Sequence, residues 1–580
     1  MQIKDLPSSA PVPARLGARR TSNKAYGNAA QVFFTIPSKS DIYKYGTEIE
    51  YSRRKIIRFA CLESSKRNSG GYMSQSVTWT LKSRETYLFL GNLERVPEIR
   101  PGGTAGLPPL VVDLDGTLTL TDTLVESTVQ AVKRDPWNVL RLPFWLIQGR
   151  STLKARIASQ ISFTADTIPY QENLCHFLRD ERTKGRRIVL ATAANRIIAD
   201  AVAAHLGFFD EVLASDETCN LKGETKLRAI RQRVGTRFVY VGDSTADLPI
   251  WKEAHAAVLV GASSRVSKSV RNSTLVEREF PRSTGGLSAW LRLCRVHQWL
   301  KNLLIFVPLL TAFAFTDFEN LAAAAIAFLA FSFAASATYV VNALLDLDSD
   351  RRHPRKRHRP LAGAQIPIPR ALAASAGLLV ISAGLASTLS TNFLLLLIAY
   401  LFLTGSYSWV IKQYVLLDVL MLSVLYTLRI VAGAAAVEVT TSVWLLAFSV
   451  FIFLSLALVK RCSELLSLSL IGRTGTNGRD YRVGDLVVFW PMGVGAGLCA
   501  VLVFALFVSA IETEARYATP DLLWLVAVGL IYWLGRLWIK TARGEMHDDP
   551  LVYALRDFGS RVTVAAMVTA TLAAHFVALG

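Results

Sequence analysis

The sequence predicts a multidomain chain in which a soluble α/β domain is followed by an all-α polytopic membrane domain of nine transmembrane helices. Hydrophobic residues make up 51% of the 580 residues and charged residues only 19%, whereas charged residues supply about a quarter of an average soluble domain. Short apolar runs rich in β-branched residues occur within 110–261, and long apolar segments begin near Leu303. A wholly soluble enzyme, a disordered protein and a fibrous protein all fit this pattern poorly.

The chain carries a net charge of +19, from 64 Lys and Arg against 45 Asp and Glu. Such an excess is typical of proteins that bind nucleic acid, or anionic lipid and phosphate. The apolar segments favour membrane and phosphate, so we expect no nucleic-acid partner. The six cysteines form no CxxC pair and no metal-type spacing, which predicts reduced, structural thiols in a cytoplasmic soluble part.

Residues 1–109 show no sustained hydrophobic periodicity and contain 17 Lys and Arg against 8 Asp and Glu. No apolar core follows the early basic residues, so no secretory signal is predicted. We expect a disordered basic extension, with a small folded module as the alternative. We assign this segment no function.

Residues 110–261 alternate short strands with helical stretches, which predicts a parallel sheet with helices on its faces. The first strand ends in Asp113-Leu-Asp115-Gly-Thr, where one carboxylate can act as nucleophile and the other as general acid/base. A second strand is predicted to end at Thr192, whose hydroxyl can hold a phosphoryl oxygen. Residues 262–290, rich in Ser, Arg and Gly, are predicted to be a linker.

Two further elements complete this phosphoryl-transfer pattern. A lysine at the start of a helical stretch can neutralise developing charge, with Lys222 preferred and Lys226 as the alternative. A later strand ends in Asp243-Ser-Thr-Ala-Asp247, whose carboxylates suit Mg²⁺. A turn with capping aspartates would explain the first motif alone, but not all four elements in this order.

This region resembles the haloacid dehalogenase-like hydrolases over essentially all of 110–261. The resemblance implies a Rossmann-like sheet with a small helical cap, as in the phosphoserine-phosphatase-like members. It implies Asp113 as the phosphorylated nucleophile, Asp115 as acid/base, and Thr192 with a lysine as phosphate ligands. The implied Mg²⁺ lies among four carboxylates: Asp113, Asp115, Asp243 and Asp247.

Nine apolar segments in the second half of the chain approach the ~20 residues that cross a bilayer as a helix. They lie near 303–316, 321–345, 370–389, 392–411, 415–436, 442–459, 485–510, 521–540 and 561–579. The loop 351–370 carries seven basic residues and no acidic residue, while the loops on the opposite side contain one basic residue, Arg516. The positive-inside rule therefore predicts a cytoplasmic N-terminal domain and an outside C-terminus in a plasma (inner) membrane protein.

A polar face is predicted at the cytoplasmic end of the second segment. Asn342, Asp346 and Asp350 are spaced by four residues, so they fall on successive turns of a helix. Acids at the edge of a membrane need a partner, and Mg²⁺ bridging a diphosphate is a natural one. The alternative without a binding site is a basic loop that only sets membrane topology, with acidic residues at its surface. That alternative would not require the four-residue spacing.

Residues 291–580 resemble the UbiA superfamily of intramembrane prenyltransferases, and most closely the decaprenyl-phosphate phosphoribosyltransferases. The likeness rests on three motifs, Gln298-Trp-Leu-Lys-Asn302, the stretch from Asp350 to Pro360, and Lys460-Arg-Cys-Ser-Glu464. It implies Asp346 and Asp350 as Mg²⁺ ligands, with Asn342 orienting them. The implied phosphate ligands are Lys356, Arg359, Lys460 and Arg461.

Two departures from the superfamily pattern matter. Ala343 stands where the first motif usually has an aspartate, and the later Asp-x₃-Asp motif of aromatic prenyltransferases is missing. The second departure favours a phosphorylated acceptor. The leading hypothesis is therefore 5-phosphoribosyl transfer from phosphoribosyl pyrophosphate to a polyprenyl phosphate, followed by removal of the 5-phosphate by the fused hydrolase.

Two other functions remain open at this point. A prenyl diphosphate could bind the aspartates and alkylate an aromatic, 4-hydroxybenzoate-like acceptor. Alternatively, the membrane domain could be a transporter or scaffold, with the soluble domain as the only enzyme. A labelled donor would distinguish pentosyl transfer from prenyl transfer. Substitution of the aspartates of the polar face would distinguish both transferases from a transporter or scaffold, in which enzymatic activity would be unaffected.

Overall fold

The computed structural model describes residues 106–161, 163–216, 219–282, 285–476, 479–546 and 549–578. Nearly all of the predicted basic extension, 1–109, therefore lies outside the described residues.

The soluble domain is built on one parallel sheet of six strands in the order β3-β2-β1-β4-β5-β6. The strands are β1 Leu110–Val112, β2 Ile188–Asn195, β3 Glu211–Ser215, β4 Val239–Gly242, β5 Ala256–Val260 and β6 Val276–Phe280. Two buried apolar clusters cover the two faces of the sheet. Strand β1 lies in the centre and pairs with β2 and β4, so the residues that follow these strands meet at one edge.

Eight α-helices accompany this sheet in the part of the domain that the structure describes. They are α1 Thr123–Arg134, α2 Asn138–Ile147, α3 Arg150–Gln160, α4 Glu172–Thr183, α5 Arg196–Leu206, α6 Glu224–Arg233, α7 Leu248–Glu253 and α8 Ser264–Arg271. Helices α1 to α3 form the predicted helical cap between β1 and β2, joined by a small apolar cluster that includes Ala131, Trp145 and Ile157.

The predicted linker 262–290 is wrong as a description of most of that stretch. It contains helix α8, with Val266 and Val270 buried, and strand β6, which pairs in parallel with β5. The hydrophilic composition arises because β6 is an edge strand whose central residues are exposed, and such edges usually carry charge. Helix α9, Leu287–Leu293, then leads into the membrane part.

The membrane part consists of helices in the described residues, apart from connecting loops and one isolated β-bridge between Gly475 and Arg482. Its helices are α10 Val307–Thr311, α11 Phe318–Leu345, α12 Leu347–Arg352, α13 Ile368–Ser387, α14 Thr391–Trp409, α15 Leu417–Ala436, α16 Val443–Leu470, α17 Leu486–Val508, α18 Ile511–Glu514, α19 Leu523–Ala542, α20 Pro550–Arg556 and α21 Phe558–Phe576. Short 3₁₀ stretches join several of them, the longest being Val296–Phe306.

Seven helices in the described residues, rather than nine, are long and apolar enough to cross a membrane. The first predicted segment, 303–316, is divided among a 3₁₀ stretch, the five-residue helix α10 and a second 3₁₀ turn, Ala314–Thr316. A positive φ of 54° at Phe313 separates that turn from α10. The ninth corresponds to α21, a 19-residue helix whose apolar run is interrupted by Ser560, Arg561 and three threonines. The prediction of nine spans is thus not confirmed.

Helix α1 of the cap packs directly on the membrane part. Val125 and Val129 contact the apolar cluster that contains Leu344, Leu347 and Leu361. Beside this cluster, Glu126 accepts two hydrogen bonds from the Arg351 guanidinium, at 2.6 and 2.8 Å. The hydrolase-like domain is therefore docked where the aspartate-rich segment begins.

Candidate active sites of the two domains

The first candidate site forms at the carboxyl end of β1. Asp113 is 9% exposed, and its Oδ1 accepts a hydrogen bond from the Leu114 amide at 2.8 Å. Gly116 then turns the chain with a φ of +79°, and a Cβ at this position would collide with the Asp243 carboxylate. Only glycine satisfies both the left-handed conformation and this close approach. The Asp113-Leu-Asp115-Gly motif is therefore the turn that brings β1 against the loop after β4.

The structure places Lys226, the alternative lysine, against the nucleophile position and leaves the preferred Lys222 exposed. Lys226 lies on the first turn of α6, is 3% exposed, and has its Nζ 2.9 Å from Asp113 Oδ1 and 3.9 Å from Asp247 Oδ1. Lys222 precedes α6, in the turn before Gly223, and points to solvent. Lys226 is buried because the first turn of α6 faces the sheet edge. Lys222 lies four residues earlier, before the helix begins, and is exposed.

Three carboxylates converge beside Lys226. Asp113, Asp243 and Asp247 each offer an oxygen within 4.8 Å of the others. Asp247 is held by the Tyr240 hydroxyl at 2.8 Å and by the Ser244 amide at 3.2 Å. A cluster of hard carboxylate oxygens fits the ligand preference of Mg²⁺, so these three side chains are the ones that would hold it.

Asp115, the fourth predicted metal ligand, lies outside this cluster of side-chain oxygens. Its Oδ1 instead accepts a hydrogen bond from the Thr123 amide at 2.8 Å, at the first residue of α1. Its predicted acid/base role needs a proton rather than a metal contact, and this placement is compatible with that role.

Burial shifts the pKa values of the carboxyl groups in this cluster. The pKa of Asp115 is raised to about 7 by burial and by the charge of Asp122. The pKa of Asp243 is also raised to about 7, by burial and then by repulsion from Asp113 and Asp247. The pKa of Asp113 is likewise raised by burial, although Lys226 opposes the shift. A bound divalent cation would relieve this crowding of negative charge.

Thr192 is fully buried, and its Oγ1 accepts a hydrogen bond from the Ala194 amide at 3.0 Å. Strand β2 does not end at Thr192, as predicted, but continues to Asn195 through a register shift after Ala191. The threonine therefore lies at an irregularity of the strand, and its role as a phosphate ligand stays a prediction.

Sequence reasoning missed one residue of this site, Tyr240 on β4. Its hydroxyl joins Lys226, at 3.0 Å, to Asp247. A tyrosine three residues before Asp243 in a buried strand was the available signal.

The second candidate site lies at the end of α11. The polar face continues across the break at Asp346, because Asp346 N binds Asn342 O at 3.0 Å and Asp350 N binds Asp346 O at 2.8 Å. Asp350 is buried and pairs with Arg359 at 2.7 Å. Asp346 and Asn342 are half-buried, and the Asp346 carboxylate interacts electrostatically with Arg295.

Asp348 points away from this face and accepts a hydrogen bond from Gln130 of α1 at 3.1 Å. Lys356, by contrast, is exposed on the 3₁₀ turn that follows. The polar face thus offers two carboxylates with a guanidinium beside them, while Asp348 serves the contact between domains.

A pair of ammonium groups lies near α20. Lys301 approaches Asp549 at 2.6 Å, and Lys460 approaches the same carboxylate oxygen at 3.4 Å. Lys460 keeps 45% of its side chain exposed. Two ammonium groups therefore share one carboxylate in this region.

The structure gives Arg461 protein partners, in contrast to its predicted role as a phosphate ligand. Its side chain is 2% exposed, and its two terminal nitrogens pair with Asp418 and Glu464. Because these carboxylates already occupy the guanidinium, we do not count Arg461 among the candidate phosphate ligands. Its function in the fold is to neutralise Asp418, which is fully buried.

A buried polar network lies deeper among the helices. Arg429 Nε donates to Asn302 Oδ1 at 2.8 Å, and the Arg429 guanidinium lies 5.0 Å from the Tyr400 ring centroid. Asn302 in turn donates to Ser332 at 3.0 Å. This network connects the 3₁₀ stretch Val296–Phe306, which contains Asn302, to helices α11, α14 and α15.

Two family models match the chain, one in each part. Residues 303–556 match the UbiA prenyltransferase family, and residues 110–252 match the haloacid dehalogenase-like hydrolases. The first match covers the aspartate-rich segment and Lys460, and it begins two residues after Lys301. The second covers Asp113, Lys226 and the loop after β4.

Three curated relatives extend this result. The chain is 39% identical to the uncharacterized protein y4nM of Sinorhizobium fredii over 456 residues, 77% of this chain and 87% of the relative. It is 35% identical to the nodulation protein NoeC of Azorhizobium caulinodans over 271 residues, 47% of this chain and 88% of the relative. It is 33% identical to the decaprenyl-phosphate phosphoribosyltransferase of Mycobacterium tuberculosis over 210 residues, 35% of this chain and 68% of the relative.

These matches agree with the two-part fold, the apolar helices and the acidic segment. The chain is an integral membrane protein that belongs to the UbiA prenyltransferase family, with a haloacid dehalogenase-like hydrolase domain fused ahead of its membrane part.

Proposed function

We propose that the membrane part transfers 5-phosphoribose from phosphoribosyl pyrophosphate to a polyprenyl phosphate, on the cytoplasmic face of the plasma membrane. The observation that carries the proposal is the pair of ammonium groups, Lys301 and Lys460, that meet at the Asp549 carboxylate. Two cations suit an acceptor that brings a phosphate group of its own. The likeness to decaprenyl-phosphate phosphoribosyltransferases supports the same choice.

The acidic segment would bind the diphosphate of the donor. Asp346 and Asp350 would hold Mg²⁺, and the bound cation would supply positive charge that neutralises the leaving diphosphate. Arg359 beside Asp350, and Lys356 on the exposed turn, would bind phosphate oxygens. An oxygen of the polyprenyl phosphate then attacks C1 of the ribose while the bond from C1 to the diphosphate breaks, and the diphosphate departs with the electron pair.

The hydrolase domain would act on the product of this transfer. The Asp113 carboxylate attacks the 5-phosphate, and Asp115, whose pKa is about 7, donates a proton to the departing ribose oxygen. Water then attacks the phosphoaspartate while Asp115 accepts its proton, which releases inorganic phosphate and restores Asp113. Lys226 and Thr192 would hold the phosphoryl oxygens. Fusion of the two domains suits consecutive reactions, because tethering raises the effective concentration.

The test uses membranes that contain the full chain, with Mg²⁺, polyprenyl phosphate and phosphoribosyl pyrophosphate labelled in its ribose. Label in the lipid phase that is lost in Asp350→Asn would support pentosyl transfer, and mass spectrometry would show whether the product keeps its 5-phosphate. A dephosphorylated product that requires intact Asp113 would support the second step. Label that stays in the aqueous phase, combined with activity on a prenyl diphosphate and an aromatic acceptor, would overturn the proposal.

A further inference from the structure

The cap helix α2 exposes an apolar face that nothing in the described residues covers. Its inner face packs through Asn138, Leu142 and Trp145, which follow helical spacing. Its outer face carries Leu140, Phe144 and Ile147 at the same spacing, with exposed fractions of 60%, 68% and 83%. A helix that is apolar on all sides is normally buried on all sides.

The neighbouring residue enlarges this face. Trp137, immediately before α2, is 67% exposed, and an exposed tryptophan with an apolar helix is typical of segments that lie in a membrane interface. A contiguous apolar patch of this kind marks an interaction site in a soluble domain.

The position of the cap indicates what covers this face. Helix α1 contacts the membrane part through Glu126 and Gln130, just beyond the end of α11. That helix has 28 residues and is therefore about 42 Å long, enough to reach the headgroup region. Helix α1 ends one turn after Gln130 and α2 begins four residues later, so the apolar helix directly follows the helix that docks on the membrane part.

The charge of the cap matches a lipid surface. Residues 131–160 contain six Lys and Arg and one acidic residue. Lys133 and Arg134 close α1, immediately before the exposed tryptophan, and are themselves exposed. Basic side chains beside an apolar helix face favour anionic headgroups.

We propose that α2 inserts its outer face, Trp137, Leu140, Phe144 and Ile147, into the headgroup and acyl boundary of the bilayer. This contact holds the hydrolase site at the membrane surface, where a lipid-linked phosphoester is within reach. The inference concerns the lipid surface itself and holds for any donor or acceptor of the membrane part.

The test reads lipid contact directly in the full-length protein. A benzophenone amino acid replaces Ile147, or Lys252 of α7 as an exposed control, and the protein is placed in nanodiscs of phosphatidylcholine and phosphatidylglycerol. We expect light to produce a lipid adduct from position 147 and none from position 252. An adduct with a second copy of the chain, or no adduct from position 147, would overturn the proposal.

A second variant separates insertion from folding. In Phe144→Glu, the lipid adduct from position 147 should be lost while cleavage of a soluble phosphoester by the hydrolase site is retained. Leu140→Ser provides a milder change if a charge at position 144 unfolds the cap. An undiminished adduct in folded Phe144→Glu protein would contradict insertion of this face. Because formation of the lipid adduct depends on neither pentosyl transfer nor hydrolysis, failure of this inference is distinguishable from failure of the proposed function.

Discussion

Glu126 of the hydrolase domain and Arg351 of the membrane domain form a bidentate ion pair in which each side chain is at most 5% exposed. The remaining guanidinium nitrogen, Arg351 Nε, donates to Ala362 O at 3.2 Å. Arg351 is adjacent to Asp350 in sequence, and Glu126 lies one turn from Thr123, whose amide holds Asp115. This ion pair therefore connects helix α1, which holds Asp115 of the hydrolase site, to the segment that carries Asp350 of the membrane site.

We expect Glu126→Gln to destabilise the protein by about 3–5 kcal/mol, because it leaves the buried Arg351 charge uncompensated. Thermal unfolding of the purified protein in detergent measures the effect. Glu253→Gln is the control, since Glu253 pairs with Arg231 at the surface, where such pairs contribute about 0–1 kcal/mol. Equal losses in the two variants would contradict a special role for the interdomain pair.

Lys226→Met should reduce hydrolysis of a phosphoester on the order of 10²–10³-fold, because it removes the cation beside the nucleophile. Lys222→Met should leave the rate close to that of the unaltered protein. Steady-state kinetics on a soluble phosphoester distinguishes the two lysines. A larger loss in the Lys222 variant would restore the preference derived from sequence.

Asp350→Asn should reduce transfer by the membrane part ~100-fold or more, because a metal-bound diphosphate depends on several kcal/mol of charge stabilisation. Asp348→Asn alters only a hydrogen bond to Gln130 and should change transfer little, as one such bond contributes about 1 kcal/mol. The lipid-phase label provides the measurement. Similar losses in both variants would argue against the four-residue polar face.

Binding of Mg²⁺ to the hydrolase site should weaken as the pH falls through about 7, the raised pKa of Asp243. Only the ionised carboxylate binds the cation, so one displaced proton weakens binding ~tenfold per pH unit below that value. Calorimetric titration of Mg²⁺ between acidic and neutral pH measures the slope, with Asp243→Asn as control. A pH-independent affinity would show that Asp243 is already ionised in the metal-free protein.

The same raised pKa has an effect on folding. Between its ordinary value of 3.8 and about 7, the folded protein holds a proton at Asp243 that the unfolded chain releases. The metal-free protein should therefore lose stability as the pH rises through this window, and Mg²⁺ should restore it.

Arg461→Met should destabilise the membrane part by several kcal/mol, because it removes the cation that neutralises the buried Asp418 carboxylate. Lys460→Met should preserve the fold, since the Lys460 side chain is 45% exposed, and should instead raise the substrate concentration needed for half-maximal transfer. Thermal unfolding and transfer kinetics separate the two effects. A stable but inactive Arg461 variant would reinstate this arginine as a substrate ligand.

The order of chemical groups along the hydrolase domain was predictable because parallel strands bring their carboxyl ends to one edge. Asp113, Asp243 and Asp247 follow strands that the hydrophobic pattern located, and the structure brings them together. The choice between Lys222 and Lys226 was not predictable, since it depends on which residue begins the first turn of α6. The two lysines lie about one helical turn apart, and this difference determines which side chain is buried and which is exposed to solvent.

Other sequence-based predictions were wrong because residue composition alone does not show which residues pack together in the fold. Strand β6 is predicted as linker because its central residues face solvent at the sheet edge, although its backbone pairs with β5. Arg461 resembles a phosphate ligand in sequence, but its partners Asp418 and Glu464 are known only from the fold. The contact of Glu126 with Arg351 joins residues 225 positions apart, a separation that no local pattern encodes.

Helix α1 also constrains how this gene can change. Its first residue supports Asp115, and its later turns hold Arg351 and Asp348. In a chimera whose hydrolase domain lacks a carboxylate at position 126, the Arg351 guanidinium of the membrane domain would be buried without its ion-pair partner. The two halves are therefore expected to tolerate replacement only as a pair, or with compensating substitutions at positions 126 and 351.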